Sequence, residues 1–212
     1  MKIKWLGHSC FLITTANNIR ILTDPFDETV GYPLPNVEAD IVTTSHDHFD
    51  HNFVEAVRGD FVHISSSGVF HERGVEILGV STFHDKENGN KRGANIVYKI
   101  TADGLNVCHL GDLGHVLTDG QLGEIGDVDI LLVPVGGTYT IDYEEAARVT
   151  ALINPKITIP MHFKTPVIDF TIEGVEKFLA AVGGGESAGS SELDITPENK
   201  PHQSKVIVLD YK

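Results

Sequence analysis

The amino-acid sequence predicts a layered α/β fold. Short apolar runs between glycine and proline turns indicate strands, two capping-box patterns indicate helices, and a strand-then-helix order resumes in the second half. With 212 residues, of which 41% are hydrophobic, the chain is long enough for one large domain with a sizeable core. We therefore expect a single domain over residues 1–212.

The first half is dominated by predicted strands. The opening runs form an antiparallel arrangement with a turn signal at Ala16-Asn17-Asn18, and a loop at 27–38 follows it. Polar, glycine-rich residues 85–94 predict a surface loop, a mobile rim beside any site that lies there. The strands expected in this half are 3–6, 10–14, 19–23, 41–44, 61–64, 75–80, 95–100 and 105–109.

Helices appear mainly in the second half. Thr118 to Gln121 and Asp142 to Glu145 are capping-box patterns, which predict helices ending near residue 125 and at Ile153. A third helix is expected over 171–182 and a fourth, in the first half, over 52–58. Residues 183–203 predict a flexible Gly/Ser/Glu-rich excursion. The strands expected here are 128–133, 156–159 and 205–209.

One polar stretch stands between the strand at 41–44 and the helix at 52–58. It has the pattern HxHxDH, formed by His46, His48, Asp50 and His51. Helix capping would explain one acidic or amide residue, but not three histidines and two aspartates in six positions. Imidazole is a ligand for zinc, iron, nickel and copper, and carboxylate adds affinity for hard cations. The stretch therefore predicts a metal site with room for two ions.

Three further ligand-type residues follow predicted strands. They are His84, Asp112 and His162. Side chains at strand ends often collect at one site in α/β folds. Four ligands from the HxHxDH stretch cannot saturate two ions, so we expect these three to complete the set.

Composition excludes several function classes. The formal net charge of −14, without a Lys/Arg stripe, disfavours nucleic-acid binding. Cys10 and Cys108 have no metal-pair or disulfide-framework spacing. Neither a signal-peptide pattern nor an apolar run of membrane-spanning length is found, so we expect a cytoplasmic protein without a membrane partner. We expect a small-molecule substrate, and the sequence leaves a homo-oligomer open.

These motifs together resemble the metallo-β-lactamase-fold hydrolase superfamily. The resemblance covers essentially the whole chain and includes Asp24, which is similar to an early aspartate that supports the site from outside the ligand set. Residues 5–9 and 134–142 further resemble a small subgroup of proposed zinc-dependent hydrolases, related to ascorbate-6-phosphate lactonase-like proteins. The resemblance implies a four-layer αβ/βα sandwich with its site at one edge, between two sheets.

The resemblance also implies a ligand for each position of a dinuclear site. His46, His48 and His84 would hold one ion, and Asp50, His51 and His162 the other. Asp112 would bridge both. The expected ions are two Zn²⁺, with Mn²⁺, Fe²⁺ and Ni²⁺ as alternatives, and a hydroxide between them would attack an ester, lactone or phosphoester bond.

Two residues are candidates for a catalytic role beside the ions. Asp50 would orient the nucleophile. His109 flanks a motif and would line the pocket or donate hydrogen bonds to the ligands, as would His8. His115 is a weaker candidate for the pocket. Tyr139 and Lys164 are candidates for substrate contact.

Other functions were weighed against the hydrolase. A mononuclear iron oxygenase of the same fold, similar to a persulfide dioxygenase, would use fewer protein ligands. A metal-binding protein without turnover stays open, because a fold does not determine a function. Class B β-lactamase activity is disfavoured, since those enzymes place cysteine at the position of Asp112.

Overall fold

Two mixed β-sheets form the frame of the protein in the computed structural model, which describes residues 1–211. The strands of the first sheet are β1 (Lys2–Gly7), β2 (Cys10–Thr14), β3 (Arg20–Thr23), β4 (Ile41–Thr43), β5 (Val62–Ile64) and β13 (Glu192–Asp194). Their spatial order is β13-β1-β2-β3-β4-β5, antiparallel up to β3 and parallel beyond it.

The second sheet has eight strands among the described residues. They are β6 (Gly68–Glu72), β7 (Val75–Phe83), β8 (Ala94–Ala102), β9 (Leu105–His109), β10 (Ile130–Pro134), β11 (Ile157–Met161), β12 (Glu186–Ser187) and β14 (Lys205–Val208). The order is β12-β14-β11-β10-β9-β8-β7-β6.

Strand directions in the second sheet bring three loops to one edge. Strands β9, β10 and β11 are parallel to one another, and β8 is antiparallel to both β9 and β7. The carboxyl ends of β7, β9 and β11 therefore lie at the same edge of the sheet. His84, Asp112 and His162 each follow one of these ends.

Three α-helices begin at defined positions. They are α1 (Asp119–Ile125), α2 (Tyr143–Ile153) and α3 (Glu176–Ala181). Both predicted capping boxes are confirmed, with Thr118 and Asp142 as the N-cap residues. Helix α1 packs on β7, and α2 packs on β10 and α3. No helix within residues 1–211 is long and apolar enough to cross a membrane.

Two hydrophobic clusters hold the sheets in place. The larger one includes Trp5 and Ile13 of the first sheet together with Ile77 and Val97 of the second, so it lies between them. The smaller one packs Leu22 and Val42 against Phe26, Tyr32 and Ile168. Loop residues thus cover the outer face of the first sheet. The predicted layered α/β fold is confirmed.

The predicted helix over 52–58 is wrong. Only Val54–Ala56 forms a single 3₁₀ turn, because the chain is extended again at Val57. The Arg58 backbone then bonds to residues 37 and 39, forming a parallel bridge with Glu38. A short helical pattern cannot nucleate alone, and this tertiary pairing takes its place.

The other misplaced elements lie near the end of the chain. The helix expected over 171–182 is only Glu176–Ala181, because Glu173 pairs through its backbone with Gly136 and Lys164. The excursion at 183–203 contains β12 and β13, which the sequence did not predict, and β6 was also missed. These strands are short or polar and lie at or next to sheet edges, where the hydrophobic pattern is weakest.

Candidate metal centre

The HxHxDH stretch lies in the loop that follows β4. The Ser45 carbonyl accepts a hydrogen bond from Ile96 N–H, at 2.9 Å, which ties this loop to the second sheet. The His48 carbonyl accepts from the amides of His51 and Asn52, both at 2.9 Å, and this turn points the next ligands back toward the first. The motif therefore reaches the edge where β7, β9 and β11 end.

The loop after β9 is positioned by two close contacts. Asn95 accepts from the Asp112 N–H through its side-chain oxygen, at 2.9 Å. Gly111 has a positive φ of 56°, and a Cβ there would lie 2.5 Å from the Ser45 Cβ. Glycine is required at this point because no side chain fits between the two loops.

The structure brings all seven predicted ligands together. We call them the His–Asp cluster: His46, His48, Asp50, His51, His84, Asp112 and His162. Their donor atoms form groups whose members lie within 4.8 Å of one another. One group is His46, His48 and His84, a second contains Asp50, His51 and His162 with His8, and a third is His46, His51 and Asp112.

Asp112 lies at the centre of the cluster. Its Oδ1 is 3.2 Å from His51 Nε2, and its Oδ2 is 3.4 Å from His84 Nε2 and 3.3 Å from His162 Nε2. Because its group also includes His46, this carboxylate reaches members of both other groups. This is the placement that a bridging ligand needs.

Asp24 supports the cluster from behind. One carboxylate oxygen accepts from Ser45 N–H at 2.8 Å, and the other lies 2.6 Å from Ser45 Oγ and 2.8 Å from His51 Nδ1. His51 Nδ1 is thereby occupied, and Nε2 is left to face Asp112. A carboxylate behind an imidazole is a common device for orienting a metal ligand.

Backbone strain is concentrated at this site. His8, Asp24 and His162 have positive φ values of 51°, 41° and 50°. Such conformations cost about 1–3 kcal/mol each and persist where the surrounding structure enforces them, typically at functional sites.

The unpartnered atoms fit a bound cation. Three atoms of one donor group are buried without a hydrogen-bond partner: His46 Nε2, His51 Nε2 and Asp112 Oδ1. Buried polar atoms are normally paired, so such a set at one place indicates missing ligands. Imidazole nitrogens and carboxylate oxygens are suitable donors for zinc and similar divalent ions.

The electrostatics also fit a cation. Asp24, Asp50 and Asp112 carry three largely buried carboxylates, and within residues 1–211 none of them forms an ion pair with lysine or arginine. Burial lowers the pKa of His46 to about 3 and also lowers that of His84, which keeps both imidazoles neutral. Neutral imidazole is the form that binds metal, and buried carboxylates need positive charge nearby.

His51 behaves differently from the other imidazoles. Burial opposes its charged form, but Asp112 and Asp50 outweigh burial and raise the pKa of His51 well above its ordinary value. In return, His162 and His51 hold the pKa of Asp112 well below its ordinary value, against the effect of burial. A divalent cation among these groups would supply the positive charge that a proton otherwise provides.

His8 belongs with the second group of donors. It lies in the turn between β1 and β2, and its Nε2–H donates to Asp50 Oδ2 at 3.3 Å. Its ring centroid is 4.3 Å from that of His162. The sequence named His8 only as a candidate, because a histidine far from the motif carries no spacing signal.

The remaining candidates receive other roles. His109 Nε2–H donates to the Ser9 carbonyl at 2.7 Å, and its Nδ1 accepts from Gly111 N–H at 3.2 Å. Both ring nitrogens are thus engaged by backbone, which makes His109 a positioning residue and leaves it no free atom for substrate. The nitrogens of His115 are likewise bonded to the backbone of Phe83 and Val116.

Lys164 does not contact the site. Its Nζ donates to the carbonyls of Ile168 and Phe170 and so holds its own loop. Tyr139, by contrast, lies where it was expected, in the wall of a cavity of about 570 Å³ beside the cluster. The other residues that line this cavity are Asp47, His48, Phe49, Asp50, His84, Lys91, Arg92, Asp112 and Phe170. Phe49, Arg92 and Phe170 were not predicted as site residues, although Arg92 belongs to the loop expected at the rim.

Comparison with known proteins identifies the relatives of this chain. Residues 2–162 match the family model described as β-lactamase superfamily domain. Proteins named UPF0173 metal-dependent hydrolase include one from Archaeoglobus fulgidus, 28% identical over 86% of this chain and 92% of the relative. Another, from Methanobrevibacter smithii, is 32% identical over 78% of this chain and 82% of the relative.

A solved structure has the same fold over nearly the full length. It is described as a proposed Zn-dependent hydrolase of the metallo-β-lactamase superfamily from Thermotoga maritima. It is 46% identical, covers 98% of this chain and 97% of its own, and superposes with a TM-score of 0.83.

Proposed function

Because the chain belongs to the metallo-β-lactamase superfamily and is related to metal-dependent hydrolases, we propose that it is a dinuclear metal-dependent hydrolase. Its His–Asp cluster would hold two divalent ions, with zinc as the first choice. The reaction would be hydrolysis of an ester, lactone or phosphoester bond in a small substrate.

The observation that carries this proposal is the convergence of unpartnered donor atoms. Two groups of three cluster residues, each within 4.8 Å, are linked by Asp112. We assign His46, His48 and His84 to one ion. We assign Asp50, His51 and His162 to the other, with Asp112 between the two. Three protein ligands per ion and the shared carboxylate make four, so water or substrate would bind as a fifth ligand, a coordination number that catalytic zinc can reach.

Bound ions and side chains of the protein would have different roles in the reaction. Bound divalent ions supply a water-derived nucleophile at neutral pH and positive charge for the oxygen that develops negative charge. Asp50 lines the cavity, and its carboxylate can orient that nucleophile. The other face of Asp50 is held by His8, which restricts the carboxylate to one orientation.

Metal content is the deciding measurement. Protein purified without added metal or chelator should contain about two zinc ions per chain, the number that the two donor groups can hold. Asp112→Ala should lose them, since it removes the link between the groups. Asp47→Ala changes an exposed carboxylate of the same loop, which accepts a hydrogen bond from the Asn52 side chain, and this variant should keep both ions.

Hydrolysis is then measured with a neutral 4-nitrophenyl ester, a lactone and a phosphodiester. Activity on at least one of them, abolished by chelator and restored by zinc, supports the hydrolase. About one iron per chain with oxygen consumption would overturn it in favour of an oxygenase. Two bound ions without any rate above buffer would indicate a metal-binding protein.

A further inference from the structure

Two cationic side chains line the cavity beside the cluster, together with the carboxylates of Asp47, Asp50 and Asp112. The chain has a formal net charge of −14, yet Lys91 and Arg92 both line this cavity. Arg92 also lines a second cavity of about 560 Å³, which shares His48 and Asp47 with the first. Arg92 therefore lies in the wall of both cavities beside the cluster.

Arg92 differs from the other cations of its loop. Lys91 pairs with Glu87, and Lys86 pairs with Glu145. The Arg92 guanidinium has no carboxylate within 4.0 Å among residues 1–211, and its Cζ lies 5.4 Å from the centroid of the Tyr139 ring. A half-buried arginine stacked on an aromatic ring keeps its hydrogen-bond donors available for a planar or tetrahedral oxyanion.

Aromatic side chains form the wall beside this arginine. Phe49 is 55% exposed and Tyr139 is 38% exposed, so both have ring surface available to a ligand in this cavity. Phe170 meets Tyr139 edge to face, with ring centroids 6.4 Å apart. All three line the same cavity as His84 and Asp112. The wall thus offers an apolar surface next to the cation and over the cluster.

The loop that carries Arg92 is held rigidly. The Asp85 carboxylate accepts hydrogen bonds from four backbone amides, those of Glu87, Gly89, Lys91 and Arg92, at 2.7–2.9 Å. One of these amides belongs to Arg92 itself. The backbone from which the Arg92 side chain extends is therefore fixed by the fold before a substrate arrives. The Tyr139 ring beside the guanidinium further limits its freedom, which lowers the entropic cost of binding.

We propose that the substrate carries an oxyanion, a carboxylate or a phosphate, that Arg92 binds, and an apolar portion that packs on Phe49, Tyr139 and Phe170. The scissile bond would then lie over the His–Asp cluster, between these two recognition elements. This assignment of substrate class rests on the proposed hydrolase function, but the binding site it describes can be tested separately.

Binding is measured first, by calorimetry with the zinc-loaded protein. The probes are phenyl phosphate, benzoate and neutral benzyl alcohol, which share a ring and differ in charge. We expect at least one of the anions to bind about tenfold more tightly than the alcohol. A charge-assisted hydrogen bond supplies a factor of this size. The better anion identifies the oxyanion as phosphate or carboxylate.

Variants separate the arginine from the metal ions, which also attract anions. Arg92→Gln should reduce the preference for the anion to the part that the metal ions supply, whereas Arg148→Gln, at an exposed site on α2, should retain it in full. Tyr139→Leu should weaken all three probes while the anion preference persists. If Arg92→Gln keeps the wild-type preference, or if the alcohol binds as tightly as the anions, the inference is overturned.

A second experiment measures turnover of two esters. The mono-4-nitrophenyl ester of glutarate and the 4-nitrophenyl ester of valerate have equal chain length, and only the first has a free carboxylate. If both are hydrolysed, wild type should favour the glutarate ester in kcat/KM and Arg92→Gln should not. If neither is hydrolysed and metal is absent, the hydrolase function fails, while the binding measurements still decide the anion site.

Discussion

At the scale of single residues, His8 shows how a side chain outside the motif completes the site. Burial lowers the pKa of His8 to about 4, so the ring is neutral at pH 7 and its Nε2–H donates to Asp50 Oδ2. A neutral donor orients this carboxylate without competing with a cation for its charge. His8 therefore acts on the second ion position through Asp50.

Replacing His8 should weaken one ion more than the other. In His8→Ala, we expect about a 10–100-fold loss of affinity for one of two zinc ions, the usual effect of removing a group that orients a ligand. His8→Gln, whose amide nitrogen lies near the former Nε2, should recover part of that affinity. Competition with a chromophoric chelator resolves the two ions.

The matched control for this prediction is His71→Ala. His71 is exposed, and its only ion-pair contact among the described residues is with Glu76. It should bind both zinc ions as wild type does. Equal affinity for both ions in His8→Ala would show that Asp50 is held without His8.

At the scale of elements, the sequence predicted strands that have a clear pattern of apolar residues and helices that have a capping box. Strand β9 and helix α2 were predicted with the boundaries that the structure has, because burial and a capping box act locally. The structure of the segment after the HxHxDH motif was not predicted, because Arg58 pairs with a loop about 20 residues earlier in the chain. Such pairing depends on tertiary proximity that a local pattern does not encode.

The residues of the candidate site were likewise only partly predictable from the sequence. The HxHxDH residues were evident from their spacing, and His84, Asp112 and His162 were identified from strand ends and from the resemblance. The cavity wall was not predictable, because Phe49 and Phe170 are single aromatic residues in irregular loops. Lys164 was a candidate for substrate contact, yet its ammonium group donates to carbonyls of its own loop.

The rigidity of the loop at residues 85–94 can be tested by removing one acceptor oxygen of Asp85. Asp85→Asn keeps one acceptor oxygen but replaces the other by an amide NH2 group, which donates, so it cannot accept all four backbone N–H groups. We expect amide hydrogen exchange at residues 86–93 to accelerate by at least about tenfold, while α2 exchanges as before. Asp127→Asn, at an exposed carboxylate, is the control. Unchanged exchange in Asp85→Asn would mean that other contacts hold the loop.

An ion pair joins the start of β3 to the residue before β4. Arg20 donates to both carboxylate oxygens of Asp40, at 3.0 and 3.2 Å, and lowers the pKa of Asp40 below its ordinary value of 3.8. A carboxyl group with a lowered pKa stabilises the folded state above about pH 4. That stabilisation is lost as the pH falls through the lowered pKa.

Asp40→Asn should therefore destabilise the protein by about 1 kcal/mol at pH 7, the value for a well-oriented, partly exposed ion pair. Urea unfolding is measured with chelator present throughout, so that metal release contributes nothing. The difference from wild type should stay constant between pH 5 and 7 and shrink below about pH 4. A difference that does not change with pH would exclude the ion pair as its cause.

At the scale of the whole molecule, the His–Asp cluster joins the two sheets. His46, His48, Asp50 and His51 follow β4 of the first sheet, whereas His84, Asp112 and His162 follow strands of the second. An ion held by both sets would link the sheets at an edge. Among residues 1–211 the buried carboxylates at this edge have no lysine or arginine partner, so the link also reduces an electrostatic cost.

Metal removal should therefore reduce the stability of the whole domain. At zinc concentrations 100 times the dissociation constant, each independent site adds about 2.7 kcal/mol. For a chain of this size that corresponds to roughly 5–10 °C in Tm per ion. Thermal unfolding of the protein with zinc and with EDTA measures this difference directly.

Asp112→Ala distinguishes a link between sheets from surface binding of zinc. Because Asp112 contacts members of both donor groups, this variant should unfold at the same temperature with zinc and with EDTA. Its Tm should lie near or below that of the wild-type protein in EDTA. If wild type shows no zinc-dependent shift, the two sheets are held by the hydrophobic core alone, and the cluster contributes to function without contributing to stability.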